Sequence, residues 1–135
     1  MPVTEQLVEF GVYVDDLDES ETFYRDVLGL ELIAKLPGRH VFFKLGNTVL
    51  LLFLADSTLK GDHLPAHGAR GPSHFAIGIP TDSREEWRRH LAAHGVAIEH
   101  EVTWPHGGKS LYFRDPAGNS VELITRTIWG LPDGW

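Results

Sequence analysis

The chain repeats itself. VEFGVYV, ETFYRDVLGL and HVFFKLGNTVLLLF in the first half are answered, in order, by SHFAIGI, EEWRRHLAAHGV and SLYFRDPAGNSVELI in the second. Residues 7 to 14 alternate as a half-buried strand, with Phe10, Val12 and Val14 on one face and Glu9, Gly11 and Tyr13 on the other. Asp18 followed by Glu21 reads as a capping box, Phe23, Tyr24, Val27 and Leu28 then recur at helical spacing, and Gly29 ends the run. The second copy follows the same grammar: His74 to Ile79 alternates, Ser83 and Glu86 cap, Trp87 and Leu91 form the helix stripe, and Gly95 stops it. After each helix come segments rich in Val, Phe, Leu and Ile, broken at Pro37-Gly38, Gly46-Asn47, Gly107-Gly108 and Asp115 to Asn119. The repeat unit is therefore a strand, a helix and three strands.

Two such units, each a small sheet with one helix-covered face, predict an α+β fold of two tandem βαβββ modules. Their open faces are expected to join side by side into a curved mixed-sheet cup, with the helices outside. The first module is expected over 1–56, a linker loop over 57–72, the second module over 73–125 and a C-terminal tail over 126–135. The stretch from Ala55 to Ser73 reads as a long connection rich in Gly and Pro, with His63 and His67 within it, of the length reserved for linkers and functional loops.

Charge and composition narrow the class of partner. The formal charge of −7, with twelve basic residues dispersed among nineteen acids, opposes binding to nucleic acid or to an anionic membrane. No segment reaches the roughly 18 apolar residues of a membrane span, and the N-terminus carries no export signal. The sequence contains no cysteine, which removes disulfides, thiolate metal sites and a cysteine nucleophile. A cytoplasmic protein working on a small molecule is the expectation.

Residue size on the uncovered faces points to a cavity. Opposite Phe75, Ile77 and Ile79 stand His74, Ala76 and Gly78, and the first strand carries Glu9 and Gly11 at the matching places. On the last strand Val121 and Leu123 belong to the helix-covered face, leaving Ser120, Glu122 and Ile124 on the other. Small side chains leave space beside a few polar groups, the pattern of a concave site. Strand for strand, Glu9 falls opposite His74 and Leu50 opposite Glu122, a candidate metal site made by duplication. Glu122 lies inside an apolar run and needs a partner to offset its burial.

FYRDVLGLEL after a strand ending in VDDL, together with YFRDPAGNSVELI near the C-terminus, resembles the vicinal oxygen chelate superfamily of glyoxalase I, bleomycin-resistance proteins, fosfomycin-resistance transferases and extradiol dioxygenases. The resemblance covers nearly the whole chain apart from the linker and the tail. It implies a sheet cup holding a divalent ion, with ligands from the first and last strands of each module. Carried over position by position, these are Glu9, Leu50, His74 and Glu122. Leu50 cannot bind a metal, so the implied ligand set is Glu9, His74 and Glu122. Three-ligand members usually place His where this chain has Glu9. Tyr112 occupies the place of a pocket tyrosine that touches substrate. A small-molecule substrate and a homodimer are implied as well.

Two carboxylates and one imidazole suit Mn, Fe, Ni or Zn, whereas oxygen-activating ferrous enzymes usually present two His and one carboxylate. Three protein ligands leave positions open for a bidentate substrate. The set therefore favours lyase or isomerase chemistry on a small oxygen-bearing metabolite or xenobiotic over ring cleavage by an Fe(II) extradiol dioxygenase, with a metal-free antibiotic-sequestering protein as the remaining alternative. Glu122, Tyr112 and His67 are the candidate catalytic residues, and Gly11, Ala76, Tyr112 and Arg114 the candidate substrate contacts. His40, His63 and His106 are further candidates for proton transfer, because imidazole titrates near neutrality. His90 and His94 have the spacing of a metal pair but flank Trp87 and Leu91 on the outer helix. Lys109 is a second candidate cation for an anionic substrate. Trp129 and Trp135 are large apolar groups beyond the last strand, suited to capping a cleft or packing on a second subunit.

Overall fold

A computed structural model describes residues 1–132, and Trp135 lies outside the described residues. The chain divides into two units, Met1–Arg70 and Gly71–Trp135. The first unit runs β1 (Glu9–Val14), α1 (Leu17–Thr22), a π-helical turn (Phe23–Val27), β2 (Glu31–Leu36), β3 (His40–Leu45), β4 (Thr48–Leu54) and a short α2 (Ala55–Thr58). Its sheet has the order β1-β4-β3-β2, with β1 parallel to β4 and the remaining pairs antiparallel. The second unit repeats the pattern with β5 (His74–Ile79), α3 (Arg84–Ala93), β6 (His100–Thr103), β7 (Lys109–Arg114), β8 (Ser120–Thr125) and a 3-10 turn (Arg126–Trp129). Its sheet has the order β5-β8-β7-β6, with β5 parallel to β8. Both units are thus the expected βαβββ module, each with an open four-stranded mixed sheet.

Each unit buries the face that its alternation marks. Val12, Val41, Phe43, Leu50 and Leu52 are buried with Tyr24 of the π-helical turn, which is fully inaccessible. Ile77, Leu111, Phe113, Val121 and Leu123 form the second core with Leu91 of α3. Fully burying one such side chain stabilises by about 1.5–3 kcal/mol, so these layers hold each sheet to its helix.

Local details differ from the sequence expectation in three places. The cap of α1 is Asp16, whose Oδ1 accepts from Glu19 N at 3.0 Å, not Asp18. Ser83 precedes α3 without capping it, because its hydroxyl donates to Pro80 O at 2.7 Å. The segment after β4 is not structureless: α2 opens it, His67 N donates back to Thr58 O at 3.1 Å, and Arg70 pairs with Asp56. These bonds tie the segment to the first unit, which accordingly extends to Arg70. Gly29 and Gly95 end their helices as expected, both at φ 69°, where a side chain would be strained.

Strand register brings a fourth correction. Parallel partners share a face, and Ala76 pairs with Glu122 in the second unit while Gly11 pairs with Leu51 in the first. The residue equivalent to Glu122 is therefore Leu51, and Leu50, beside Phe10, belongs to the buried helix-covered face. Leucine stands at either position, so the first unit's last strand offers no ligand there.

Candidate functional site

In the second unit, the face turned away from α3 carries His74, Ala76 and Gly78 on β5, Ser120, Glu122 and Ile124 on β8, and Ser110 and Tyr112 on β7. A cavity of about 490 Å³ opens over it, and His74, Ala76, Tyr112 and Glu122 all line it. Ala76, the lateral neighbour of Glu122, leaves room above the carboxylate that a larger side chain would fill.

His74 and Glu122 meet at the base of this cavity. His74 Nε2 stands 3.3 Å from Glu122 Oε2, with the Glu122 side chain 6% exposed and the His74 side chain 53% exposed. The other ring nitrogen, Nδ1, lies 3.1 Å from Ser120 O. A carbonyl only accepts, so Nδ1 carries a proton and donates it, and in a neutral imidazole Nε2 then presents a lone pair. Two acceptors facing each other require a cation or a proton between them. Glu122 Oε1 is also buried and has no hydrogen-bond partner among the described residues, a cost of about 1–3 kcal/mol for a polar group left so.

These features fit a divalent ion. A metal-bound histidine usually donates its remote N–H to a carbonyl or carboxylate, which fixes the ring and sharpens the donor. Both donors are of the hard or borderline type suited to Mn, Fe, Ni or Zn. Among the described residues, no group of three or more His, Asp or Glu converges as a ready-made metal site. His74 and Glu122 make two donors of the expected set. Glu9, the third, heads β1 of the first unit, where it is exposed and pairs with Val49.

Tyr112 stands beside the pair. Its ring stacks against His74 with centroids 6.1 Å apart, and it is the β-partner of Glu122 across β7–β8. Burial, then the neighbouring Glu122 carboxylate, raises its phenol above the ordinary tyrosine value, partly offset by Ser110. The hydroxyl therefore stays protonated and able to donate near neutrality.

The other candidates separate. Gly11 lies on the open face of the first unit, where an added Cβ would touch the Phe53 ring at 3.5 Å. His67 is in that unit too, its Nδ1 2.6 Å from the Tyr13 hydroxyl and its ring on Phe53. Tyr13 is raised by burial, and His40 is lowered by burial and by Arg39. His40 and His63 line a separate cavity of about 330 Å³ with Arg39 and Asp62. Arg114 does not line the second unit's cavity. It binds Glu99 through Nε at 2.8 Å and Nη2 at 3.2 Å and donates to Gly118 O. His90, on α3, and His94, at its C-terminal cap, have their rings tilted against each other with centroids 4.4 Å apart, and His94 Nδ1 donates to His90 O at 2.9 Å.

Besides His74, His106 in the β6–β7 turn lines the cavity, and Trp104, Ile128 and Trp129 line it as well. Trp104 was not visible as a site residue in the sequence. The available signal was its position next to Pro105-His106-Gly107-Gly108, a tight turn at the open end of a hairpin.

Comparison with known proteins is consistent with this geometry. The Glyoxalase/Bleomycin resistance protein/Dioxygenase superfamily model matches residues 6–123. A crystal structure titled as lactoylglutathione lyase from Agrobacterium tumefaciens superposes with a TM-score of 0.91 at 43% identity, covering 95% of this chain and 98% of that one. Metallothiol transferase FosB of Staphylococcus saprophyticus is 32% identical over 117 residues, 85% of this chain and 73% of that protein. Catechol-2,3-dioxygenase of Bacillus subtilis (strain 168) is 30% identical over 123 residues, 86% of this chain but only 41% of that protein, so the chain spans about two fifths of the dioxygenase's length.

Proposed function

Because the chain belongs to the Glyoxalase/Bleomycin resistance protein/Dioxygenase superfamily, we propose that it is a divalent-metal-dependent enzyme of lyase or isomerase type, acting on a small molecule with neighbouring oxygen atoms. The observation that carries this reading is the His74–Glu122 pair: an imidazole anchored through Nδ1, facing a buried carboxylate whose Oε1 has no hydrogen-bond partner among the described residues. A pure binding protein gains nothing from burying a half-satisfied carboxylate under a histidine. The likeness to a structure titled lactoylglutathione lyase, at 43% identity, supports the lyase direction.

His74 and Glu122 would hold the ion, and a bound divalent ion would polarise the substrate's oxygens. The work of the chain's own residues follows from their chemistry. The Nδ1–H···O bond to Ser120 keeps His74 in one ring orientation. Tyr112, protonated, donates a hydrogen bond to a substrate oxygen. Glu122 Oε1 accepts a proton from the carbon beside a polarised carbonyl and returns it. His106, which lines the cavity from the β6–β7 turn, would relay protons to solvent. The proposed protein is a cytoplasmic homodimer. Dimers are frequent among superfamily members, and no helix among the described residues is long and apolar enough to cross a membrane.

Metal analysis of protein purified without added ions, compared with Glu122→Ala, tests the reading. Wild type should carry or take up a stoichiometric divalent ion at neutral pH, and Glu122→Ala should lose it. A wild type that cannot be loaded refutes the proposal and favours a sequestering protein. The likeness to catechol-2,3-dioxygenase supports a second reading, Fe(II)-dependent ring cleavage. Oxygen uptake with a catechol panel and Fe²⁺ would establish it in place of the first.

A further inference from the structure

The walls of the second unit's cavity differ in chemistry from its floor. The floor is polar, with His74, Tyr112 and Glu122, whereas Trp104, Ile128 and Trp129 make up much of the walls. Trp104 Nε1 donates to Ser110 Oγ at 2.8 Å. The indole's single polar atom is therefore used inside the hairpin, and only its ring surface remains for an occupant. No Lys or Arg is among the residues lining the cavity, and the nearby strand cation, Arg114, is engaged by Glu99.

The tail wall is built on a contact that only glycine permits. A Cβ added to Gly108 would overlap Ile128 Cγ2, so the bare glycine lets Ile128 seat directly on the β6–β7 hairpin. The Arg126–Trp129 turn is thereby brought to the cavity, which Ile128 and Trp129 both line. A substrate whose bulk carried negative charge would find no Lys or Arg among the lining residues, Arg126 of the turn lying against Gly78 at the far end of β5, and would face Glu122. A flat apolar body gains instead from lying against aromatic rings.

We propose that the site selects a substrate with an uncharged aromatic body, seated against Trp104 and the Arg126–Trp129 tail, with its paired oxygens at the His74–Glu122 floor. Trp104 is then a specificity-determining residue. The inference rests on the metal-dependent reading above, and the test separates the two.

Benzohydroxamate and acetohydroxamate share one chelating head and differ in having or lacking a ring. Titrated calorimetrically into the full chain loaded with Mn²⁺, benzohydroxamate should bind about tenfold tighter or more. Trp104→Ala should abolish most of that preference while retaining acetohydroxamate binding, and Trp104→Phe should keep most of it. Trp129→Ala, at a position 73% exposed and so without consequence for folding, should reduce the preference in part. Equal binding of the two probes by wild type, or a preference untouched in both alanine variants, overturns the aromatic inference and leaves the metal site standing. Binding of neither probe to wild type overturns the metal reading and the inference with it.

Discussion

Ala76 and Glu122 are lateral partners in the parallel β5–β8 pair, and both line the cavity of the second unit. A methyl group beside a buried carboxylate is the arrangement of a floor kept open. At the matching place in the first unit, Gly11 lies beside Leu51, which offers space without a donor.

Ala76→Leu should fill the space beside Glu122. Ala76 is exposed to the cavity, so the larger side chain overpacks no core and stability should change by less than about 0.5 kcal/mol. Ligand binding to the metal-loaded protein should weaken by an order of magnitude or more. Unchanged binding, measured calorimetrically alongside a urea melt, would show that the occupant does not approach Glu122 from this side.

Glu122→Gln separates the metal role of this residue from a structural one. In metal-free protein, the amide can donate to His74 Nε2 and removes a buried charge, so stability should rise by about 1 kcal/mol. Metal uptake should fall at the same time. A destabilised metal-free variant in urea unfolding would mean that the carboxylate is held by partners in the native state.

Tyr112 and Tyr13 both hold their protons more tightly in the native state than the ordinary value of about 10. Their contribution to stability is complete below about pH 10 and is lost as the pH rises through the raised folded values. Tyr112→Phe should therefore flatten the alkaline decline in urea-melt stability. In ultraviolet difference titrations, Glu122→Gln should bring the Tyr112 transition down in pH. A transition that stays in place would show that the carboxylate does not act on the phenol.

Gly108→Val should push Ile128 off the hairpin and cost about 1–3 kcal/mol through overpacking. Ile128→Ala in the same chain should recover most of the loss, since it removes the group that the new side chain meets. A double variant no better than Gly108→Val would place the strain elsewhere, as a two-by-two set of thermal melts would reveal.

The architecture was legible because it repeats: two alternating strands, two helical stripes closed by Gly29 and Gly95, and turn residues between the remaining strands. Glu122 was legible because a carboxylate in an apolar strand is conspicuous. Other details were not. Asp16 and Asp18 both precede plausible helix starts, and only backbone geometry decides which carboxylate meets Glu19 N. The run VLLLFL has no alternation, so nothing local tells Leu50 from Leu51, and only pairing with β1 does. Trp104 and Ile128 form their walls through contacts between a hairpin turn and a tail distant in sequence.

Alternation, turn residues and composition are enough to set the βαβββ grammar of each unit, the absence of thiol chemistry and the residue types available at the strand heads. Tertiary structure alone decided that His74 Nε2 faces Glu122 Oε2, that Ser120 O takes the other ring proton, and that Oε1 is left without a hydrogen bond among the described residues. The physical reason is that side-chain period assigns faces locally, whereas register between strands is set by non-local hydrogen bonding. Whether a buried carboxylate is satisfied depends on what that register packs beside it.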